Sequence, residues 1–160
     1  MMGREFTPFE VGGRFRISPP GSPASRDGRI DLLMAPGAFG SGEHETSASC
    51  LELLEELPDP PGARVLDLGS GTGILAIAAL KLGARSAFCV DVDPAAVRTC
   101  ELNCQLNGVA DRVEHLCGSI DEVGAGPFEW TLANIYGDIL LRVAEALVAR
   151  TRPGGVLLLS

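Results

Sequence analysis

Hydrophobic and polar positions alternate in regular blocks from residue 64 onward, and the blocks predict strands and helices in turn. Short apolar runs predict strands at 65–68, 87–92, 113–117, 130–133 and 156–159. Longer segments predict helices at 73–82, 94–106 and 138–150, and Pro153-Gly154-Gly155 predicts a turn before the last strand. This alternation indicates an α/β fold with a doubly wound, mostly parallel sheet.

The residues before this region follow a different pattern. The first forty or so are rich in Gly and Pro, with short alternating stretches around Phe15 and Ile30. They predict a loop and edge-strand extension that packs on the main body. A helix is expected to begin near Thr46 or Ser47 and to end at Pro58. Its apolar stripe would consist of Leu51, Leu54 and Leu57.

Composition narrows the class of protein. A chain of 160 residues corresponds to one domain of ordinary size. The longest apolar run, Ile74 to Leu80, is far shorter than a membrane-spanning helix, and the first residues lack a signal-peptide pattern. We therefore expect a soluble, cytoplasmic domain. The net charge of −8 disfavours nucleic acid as the main partner.

Two local compositions bear on candidate chemistry. Residues 43–60 carry six acidic side chains and no Lys or Arg, which is typical of a solvated helix face and alternatively suits a basic substrate. The five cysteines form an odd set and are expected to be reduced thiols. Cys100 and Cys104 lie one helical turn apart, but no second Cys or His pair at ligand spacing accompanies them. Core packing is therefore the favoured interpretation, and no metal site is predicted.

The first candidate motif lies where a predicted strand turns into a helix and reads Asp67-Leu68-Gly69-Ser70-Gly71-Thr72-Gly73. Glycines suit a loop in which a ligand lies against the backbone. A dinucleotide-binding fingerprint would read Gly-x-Gly-x-x-Gly, but here the third glycine falls one position earlier. The spacing instead resembles the nucleoside-binding loop of class I S-adenosylmethionine methyltransferases, with Asp67 as the preceding acidic residue.

Three further polar positions are expected near this loop. Asp91 closes the second predicted strand, where its carboxylate can accept both hydroxyls of a ribose. Asp93 precedes Pro94 and is better placed to cap the following helix. Asn134 follows the fourth strand, so it projects toward the same crevice, and its amide suits the orientation of a methyl donor or an attacking amine. A turn asparagine is the alternative role for Asn134.

The segment 35–47 is rich in Gly and precedes the first predicted helix. A loop that closes over a ligand explains this composition, with the hydroxyls of Thr46 and Ser47 at the helix start. His44 is either a base or, as we favour, a loop anchor. We therefore divide the single domain into an extension with a cofactor-covering loop at 1–45 and a cofactor-binding core at 46–160.

Taken together and in this order, these segments resemble the ribosomal protein L11 methyltransferase family, PrmA. The family loop Phe-Gly-Thr-Gly-x-His-x-Thr-Thr corresponds to Phe39-Gly40-Ser41-Gly42-Glu43-His44-Glu45-Thr46-Ser47. The family sequence Ile-Leu-Ala-Ile-Ala-Ala-Leu-Lys-Leu-Gly-Ala is identical to residues 74–84, and its Ala-Asn-Ile matches residues 133–135. Carried over, the cofactor contacts of the family fall on Ser47, Gly69, Asp91 and Asn134. Thr46, Asp67, Gly71 and Gly73 complete the predicted cofactor-binding set.

The resemblance implies a Rossmann-like enzyme that transfers methyl from S-adenosylmethionine to amino groups of a protein substrate, a basic ribosomal protein. From the net charge and the short apolar runs, we expect no direct nucleic-acid binding and no membrane. Asn134 would orient the reactants, and no catalytic base is assigned. The family reads Asp-Pro-Gly where this chain has Ala35-Pro36-Gly37, and it carries an amino-terminal docking domain and further strands. We therefore expect a catalytic core without the docking domain and without the last strands of the sheet.

Other functions remain open from the sequence. One is a class I methyltransferase of another protein or of a small molecule, and another is a module that binds S-adenosylmethionine without turnover. A dehydrogenase is the weakest alternative, because the glycine spacing does not fit a dinucleotide. We also expect residues 156–159 to form an exposed apolar edge strand through which the chain self-associates.

Overall fold

The computed structural model describes residues 6–35, 43–58 and 62–160, with the backbone alone for 43–46. The strands are β1 (Phe9–Val11), β2 (Phe15–Ser18), β3 (Ile30–Leu33), β4 (Arg64–Leu68), β5 (Ser86–Asp91), β6 (Val113–Cys117), β7 (Phe128–Ala133) and β8 (Thr151–Leu159). The helices are α1 (Glu43–Glu56), α2 (Ile74–Lys81), α3 (Pro94–Leu106) and α4 (Gly137–Arg150). Short 3-10 turns occur at Ala110–Arg112 and Ile120–Glu122.

Five strands form the main sheet in the order β6-β5-β4-β7-β8, and every neighbouring pair is parallel. The order reverses direction at β4, because the chain adds β5 and β6 on one side and then β7 and β8 on the other. This arrangement confirms the predicted doubly wound α/β fold. Ligands of such sheets bind at the carboxyl ends of the strands, beside the point of reversal.

The two faces of the sheet pack against different helices. Along β4, Val65 lies in the cluster that includes α1, α2 and α3, whereas Leu66 and Leu68 lie in the cluster that includes Leu147 of α4. Successive side chains of a strand point to opposite faces. The apolar residues of β4 therefore pack into the hydrophobic layers on both sides of the sheet. A strand covered on both faces explains why β4 shows no alternation of polar and apolar residues.

Two boundaries differ from the prediction. Helix α1 begins at Glu43, about one turn before the predicted start at Thr46 or Ser47. Acidic residues are favourable at a helix N-terminus because of the helix dipole, which accounts for the earlier start. Strand β8 begins at Thr151 and contains the Pro153-Gly154-Gly155 segment that predicted a separate turn. Between two paired positions β7 advances by two residues while β8 advances by five, so this segment bulges out of the ladder.

The amino-terminal residues form a sheet of their own rather than edge strands of the main sheet. Strand β2 lies in the middle, antiparallel to β1 and parallel to β3. Phe15, Ile17 and Leu32 from this sheet are fully buried in the same cluster as α1 and α2. The small sheet therefore packs against the helical layer of the main body. The boundary at residue 45 stays a prediction.

Hydrogen bonds also fix the small sheet to the main body. The carboxylate of Glu55 on α1 accepts from the backbone N–H of Gly13, at 2.8 and 3.1 Å, and of Arg14, at 3.0 Å. On α2, Nζ of Lys81 donates to the carbonyl oxygen of Asp31 at 2.8 Å. One helix of the core thus holds the turn between β1 and β2, and another holds β3. In the described part of the chain, no helix combines the length and apolar character needed to cross a lipid bilayer.

We predict that Glu55→Ala lowers the free energy of unfolding by about 1–2 kcal/mol, because two backbone N–H groups lose a charged acceptor. The measurement is urea denaturation followed by circular dichroism. Glu52→Ala is the matched control, since Glu52 is exposed on the same helix and should change stability by less than about 0.5 kcal/mol. Equal effects of the two substitutions would contradict the anchoring role of Glu55.

Candidate functional site

The ends of three neighbouring strands lie at the same height in the sheet. Leu68 at the end of β4 is paired with Val90 of β5 on one side and with Ala133 of β7 on the other. The residues that directly follow these three paired positions are Gly69, Asp91 and Asn134. They therefore lie in a row at the carboxyl edge of the sheet. The structure thus brings together three predicted site residues that are distant in the sequence.

The glycine loop after β4 depends on backbone conformations that favour glycine. Gly69, Gly71 and Gly73 have φ angles of 70°, 52° and 83°. A Cβ at Gly69 would lie 2.4 Å from Cγ2 of Ile135, and one at Gly73 would lie 2.6 Å from Sγ of Cys100. Among the residues that the structure describes, a Cβ at Gly71 would meet the carbonyl oxygen of Gly69 alone, at 3.9 Å. The outer glycines serve internal packing, and Gly71 leaves open space above the loop.

Asp91 connects the second strand to this loop. Its carboxylate accepts from the backbone N–H of Gly71 at 2.9 Å and from that of Asp93 at 3.0 Å. The side chain of Asp93 in turn accepts from the N–H of Ala95 at 2.9 Å, which confirms its predicted role as the cap of α3. Asp91 is partly exposed, so its carboxylate is held in one orientation and still has lone pairs for a ligand.

Asp67 lies behind the loop rather than at its surface. The side chain is 1% exposed, and Oδ2 has no hydrogen-bond partner among the described residues. Burial raises the pKa of Asp67 to about 7, against the lowering effect of a hydrogen bond from the backbone of Ala76, and the nearby charge of Asp91 adds to the increase. Asp67 thus contacts α2 in the interior of the protein. Its contact with a ligand stays a prediction.

Asn103 and Asn107 are site-shaping residues that the sequence analysis missed. Nδ2 of Asn103 donates to the carbonyl oxygen of Thr72 in the glycine loop, and its Oδ1 accepts from the N–H of Ala35, each at 2.9 Å. Asn107 pairs with both backbone groups of Leu33. Asn103 is fully buried and therefore joins the glycine loop to the chain just before residue 36. Asn103 lies within α3, where Asn is a poor helix former, and Asn107 is the C-cap of the same helix one turn later, and this pair was the available signal.

The other predicted residues are placed as follows. Ser47 lies in α1 and is buried. Thr46 and His44 belong to the same helix, but their side chains lie outside the described residues, as does the loop 36–42. Asn134 is partly buried, and its carbonyl oxygen would lie 3.7 Å from a Cβ at Gly69. The structure thus describes Gly69, Asp91 and Asn134, whereas the loop that is predicted to cover the site lies outside the described residues.

The family model for ribosomal protein L11 methyltransferase (PrmA) matches residues 1–160. The chain belongs to this family. Its relative from Trichlorobacter lovleyi, named ribosomal protein L11 methyltransferase, is 46% identical over 162 residues, which cover 97% of this chain and 53% of the relative. This chain therefore spans about half the length of the curated relatives that it matches.

Solved structures agree with this membership. The ribosomal protein L11 methylase from Lactobacillus delbrueckii subsp. bulgaricus has a TM-score of 0.83 and 27% identity, covering 96% of this chain and 78% of that one. A SAM-dependent methyltransferase from Geobacter sulfurreducens, in complex with S-adenosyl-L-homocysteine, has a TM-score of 0.56 and 30% identity, covering 69% of this chain and 47% of that one. The predicted family resemblance is confirmed.

The raised pKa of Asp67 predicts a pH dependence of stability. Between about pH 4 and about pH 7 the unfolded chain has this carboxyl ionised, whereas the folded chain keeps it protonated. The folded state then binds more protons, so the contribution of Asp67 to stability falls as the pH rises through this window. We expect the free energy of unfolding of Asp67→Asn, relative to the wild type, to increase across it.

Urea denaturation at several pH values between about 4 and 7 measures this difference. Asp111→Asn is the control, because Asp111 is exposed beside β6 and lies away from the loop. A wild-type chain and an Asp67→Asn variant with parallel pH profiles would contradict the burial of an uncharged carboxyl at this position.

Proposed function

We propose that this chain binds S-adenosylmethionine at the row formed by Gly69, Asp91 and Asn134 and belongs to an enzyme that methylates amino groups of ribosomal protein L11. The observation that carries the proposal is Asp91, a partly exposed carboxylate held by two backbone N–H groups beside a glycine loop. Membership of the PrmA family supports the reaction and the protein substrate. The S-adenosyl-L-homocysteine bound to the Geobacter sulfurreducens neighbour, which is S-adenosylmethionine without its methyl group, supports the cofactor.

The residues present fit an adenosyl group. Hydrogen bonds from Gly71 and Asp93 each occupy one oxygen of the Asp91 carboxylate, and the remaining lone pairs can accept two ribose hydroxyls. The open space at Gly71 allows a ligand to lie against the backbone of the loop. Asp67 would support the loop from below, and Gly69 and Gly73 would keep it in place through their packing.

S-adenosylmethionine supplies a methyl group that is already activated by its sulfonium centre. The protein then has to position a neutral amine in line with that methyl. A lysine with a pKa of about 10.4 is neutral once in about 2,500 molecules at pH 7, a cost of about 4.6 kcal/mol. A desolvated crevice at the carboxyl edge of the sheet lowers that cost, because burial disfavours the charged ammonium.

Asn134 is the residue that we assign to orientation of the reactants. It follows β7 and stands beside the glycine loop, and its amide oxygen can accept from an amine while its amide nitrogen donates. We assign no catalytic base. Residues 1–45 would supply the cover of the site. Residues 46–160 would form the cofactor-binding core, which begins with the hydroxyl groups of Thr46 and Ser47.

We predict that Asp91→Asn weakens the binding of S-adenosylhomocysteine at least about tenfold, because hydrogen bonds to a charged acceptor contribute about 1.5–3 kcal/mol. Isothermal titration calorimetry of the purified chain measures the affinity. Asp93→Asn is the matched control, since an asparagine still caps α3 and the side chain is not assigned to the ligand. NAD should not bind to either protein.

The outcomes separate the alternatives. Equal affinities of the Asp91→Asn and Asp93→Asn variants would contradict the assignment of the ribose to Asp91. Binding of NAD with a similar affinity would favour a dehydrogenase. Binding of S-adenosylhomocysteine without methyl transfer to ribosomal protein L11 or to any other amine would favour a non-catalytic binding module. Methyl transfer to a small molecule alone would identify a different acceptor.

We also propose that two copies of the chain associate through β8. This strand is at the edge of the main sheet, and Leu157 and Leu159 are 36% and 38% exposed there. An apolar edge strand presents unpaired backbone groups that can pair with the same strand of another copy. A second copy is therefore the partner that this edge fits.

We expect the average mass of the wild-type chain to increase with concentration in light-scattering measurements, and Leu157→Lys to reduce this increase because a charged edge strand pairs poorly. Leu141→Lys is the matched control, since Leu141 is 83% exposed on α4 and does not belong to β8. A wild-type chain that stays monomeric at every concentration would refute the association. Equal effects of both lysines would refute its placement on β8.

A further inference from the structure

Three side chains that could bind a metal ion, those of Cys89, Cys100 and His115, meet beneath α3, outside the row of site residues, and a third thiol, that of Cys104, lies nearby on the helix. Cys89 of β5 and His115 of β6 are register partners, so their side chains point to the same face of the sheet. Helix α3 packs on that face, and its Cys100 and Cys104 are fully buried one turn apart. Two neighbouring strands and one helix thus bring three thiols and one imidazole into the same layer.

The donor atoms of this thiol–imidazole cluster lie close together. A ligand atom from each of Cys89, Cys100 and His115 lies within 4.8 Å of the other two. The thiol of Cys100 also lies within interaction range of those of Cys89 and Cys104. Nδ1 of His115 is buried and has no hydrogen-bond partner among the residues that the structure describes. Such an unpaired buried nitrogen calls for a ligand or a partner.

The donor set and its dimensions suit a thiophilic divalent cation. A tetrahedral zinc ion with Zn–S distances of about 2.3 Å has sulfur ligands about 3.8 Å apart. The donor atoms of Cys89, Cys100 and His115 are at most 4.8 Å apart and need to approach one another by about 1 Å to reach that geometry, and the thiol of Cys104, which lies outside this set of three, needs to turn toward them. Burial lowers the pKa of His115, against the opposing charge of Glu101, which keeps the imidazole in the neutral form that binds metals.

We propose that Cys89, Cys100, Cys104 and His115 bind one Zn²⁺ ion as a closed structural site. Binding forms three zinc–sulfur bonds and one zinc–nitrogen bond, and the three thiols release three protons to solvent. His115 is partly exposed on β6, the edge strand of the sheet, and so provides the route by which the ion enters. The remaining ligands lie deeper, which suits a site that retains its metal.

Titration of the reduced, metal-free chain with Co²⁺ under anaerobic conditions tests the site directly. We expect saturation at one ion per chain, with a near-ultraviolet thiolate-to-cobalt charge-transfer band and the visible bands of tetrahedral cobalt, all lost on addition of Zn²⁺. His115→Gln should weaken Co²⁺ binding at least about tenfold, since loss of even an outer-shell partner costs that much. Cys100→Ala should remove most of the charge-transfer intensity.

Cys117→Ala is the matched control, because Cys117 is an exposed thiol on the same strand as His115 and lies outside the cluster. It should bind Co²⁺ as the wild type does, and circular dichroism verifies the fold of each variant. His115→Gln is a change on a partly exposed edge strand, so it keeps the test valid if Cys100→Ala does not fold. A wild-type chain without the charge-transfer band would overturn the proposal. So would a band that is unchanged in His115→Gln or lost in Cys117→Ala.

Discussion

The candidate site depends on one constraint, which is that β4 pairs with β5 and β7 so that the three strands end at the same height in the sheet. Leu68 is opposite Val90 and Ala133, and for this reason the glycine loop, Asp91 and Asn134 leave the sheet at the same height. A slip of one residue would move a strand end by about 3.3 Å and turn its side chains to the other face. Burial on both faces opposes such a slip, because the side chains that pack against α1, α2 and α3 would change places with those that pack against α4.

Much of the fold could be predicted because its signals are local. The bounds of α3 follow from the cap at Asp93, the proline at Pro94 and the glycine at Gly108, and all three act within a few residues of the helix ends. The three central strands are short apolar runs between such signals. The bulge in β8 was not predictable in this way, because the Pro153-Gly154-Gly155 segment has turn residues and its pairing is decided by β7.

The site was predicted unevenly for the same physical reason. The position of glycines and polar residues at the ends of parallel strands predicts a ligand site from the sequence alone. The structure places three such residues, Gly69, Asp91 and Asn134, together. Asn103 functions through Thr72 and Ala35, which are far away in sequence, so its role depends on the folded chain. The thiol–imidazole cluster was missed because ligand spacing was sought along one segment, whereas the pairing of β5 with β6 supplies two of its four members.

The contact between Gly73 and Cys100 limits how this protein can diverge. The sulfur of Cys100 occupies the space that a side chain at position 73 would need, so the two positions share one small volume. A larger residue at position 100 would displace the turn into α2, and only side chains about the size of Cys, Ser or Ala fit there. Similar restrictions apply to Ile135 after β7, whose Cγ2 would lie 2.4 Å from a Cβ at Gly69, and to Gly155 in the bulge of β8, where a Cβ would lie 2.6 Å from the carbonyl oxygen of Glu129. Positions with open surroundings, such as Gly137 at the start of α4, can accept larger side chains, whereas the glycine loop keeps its composition.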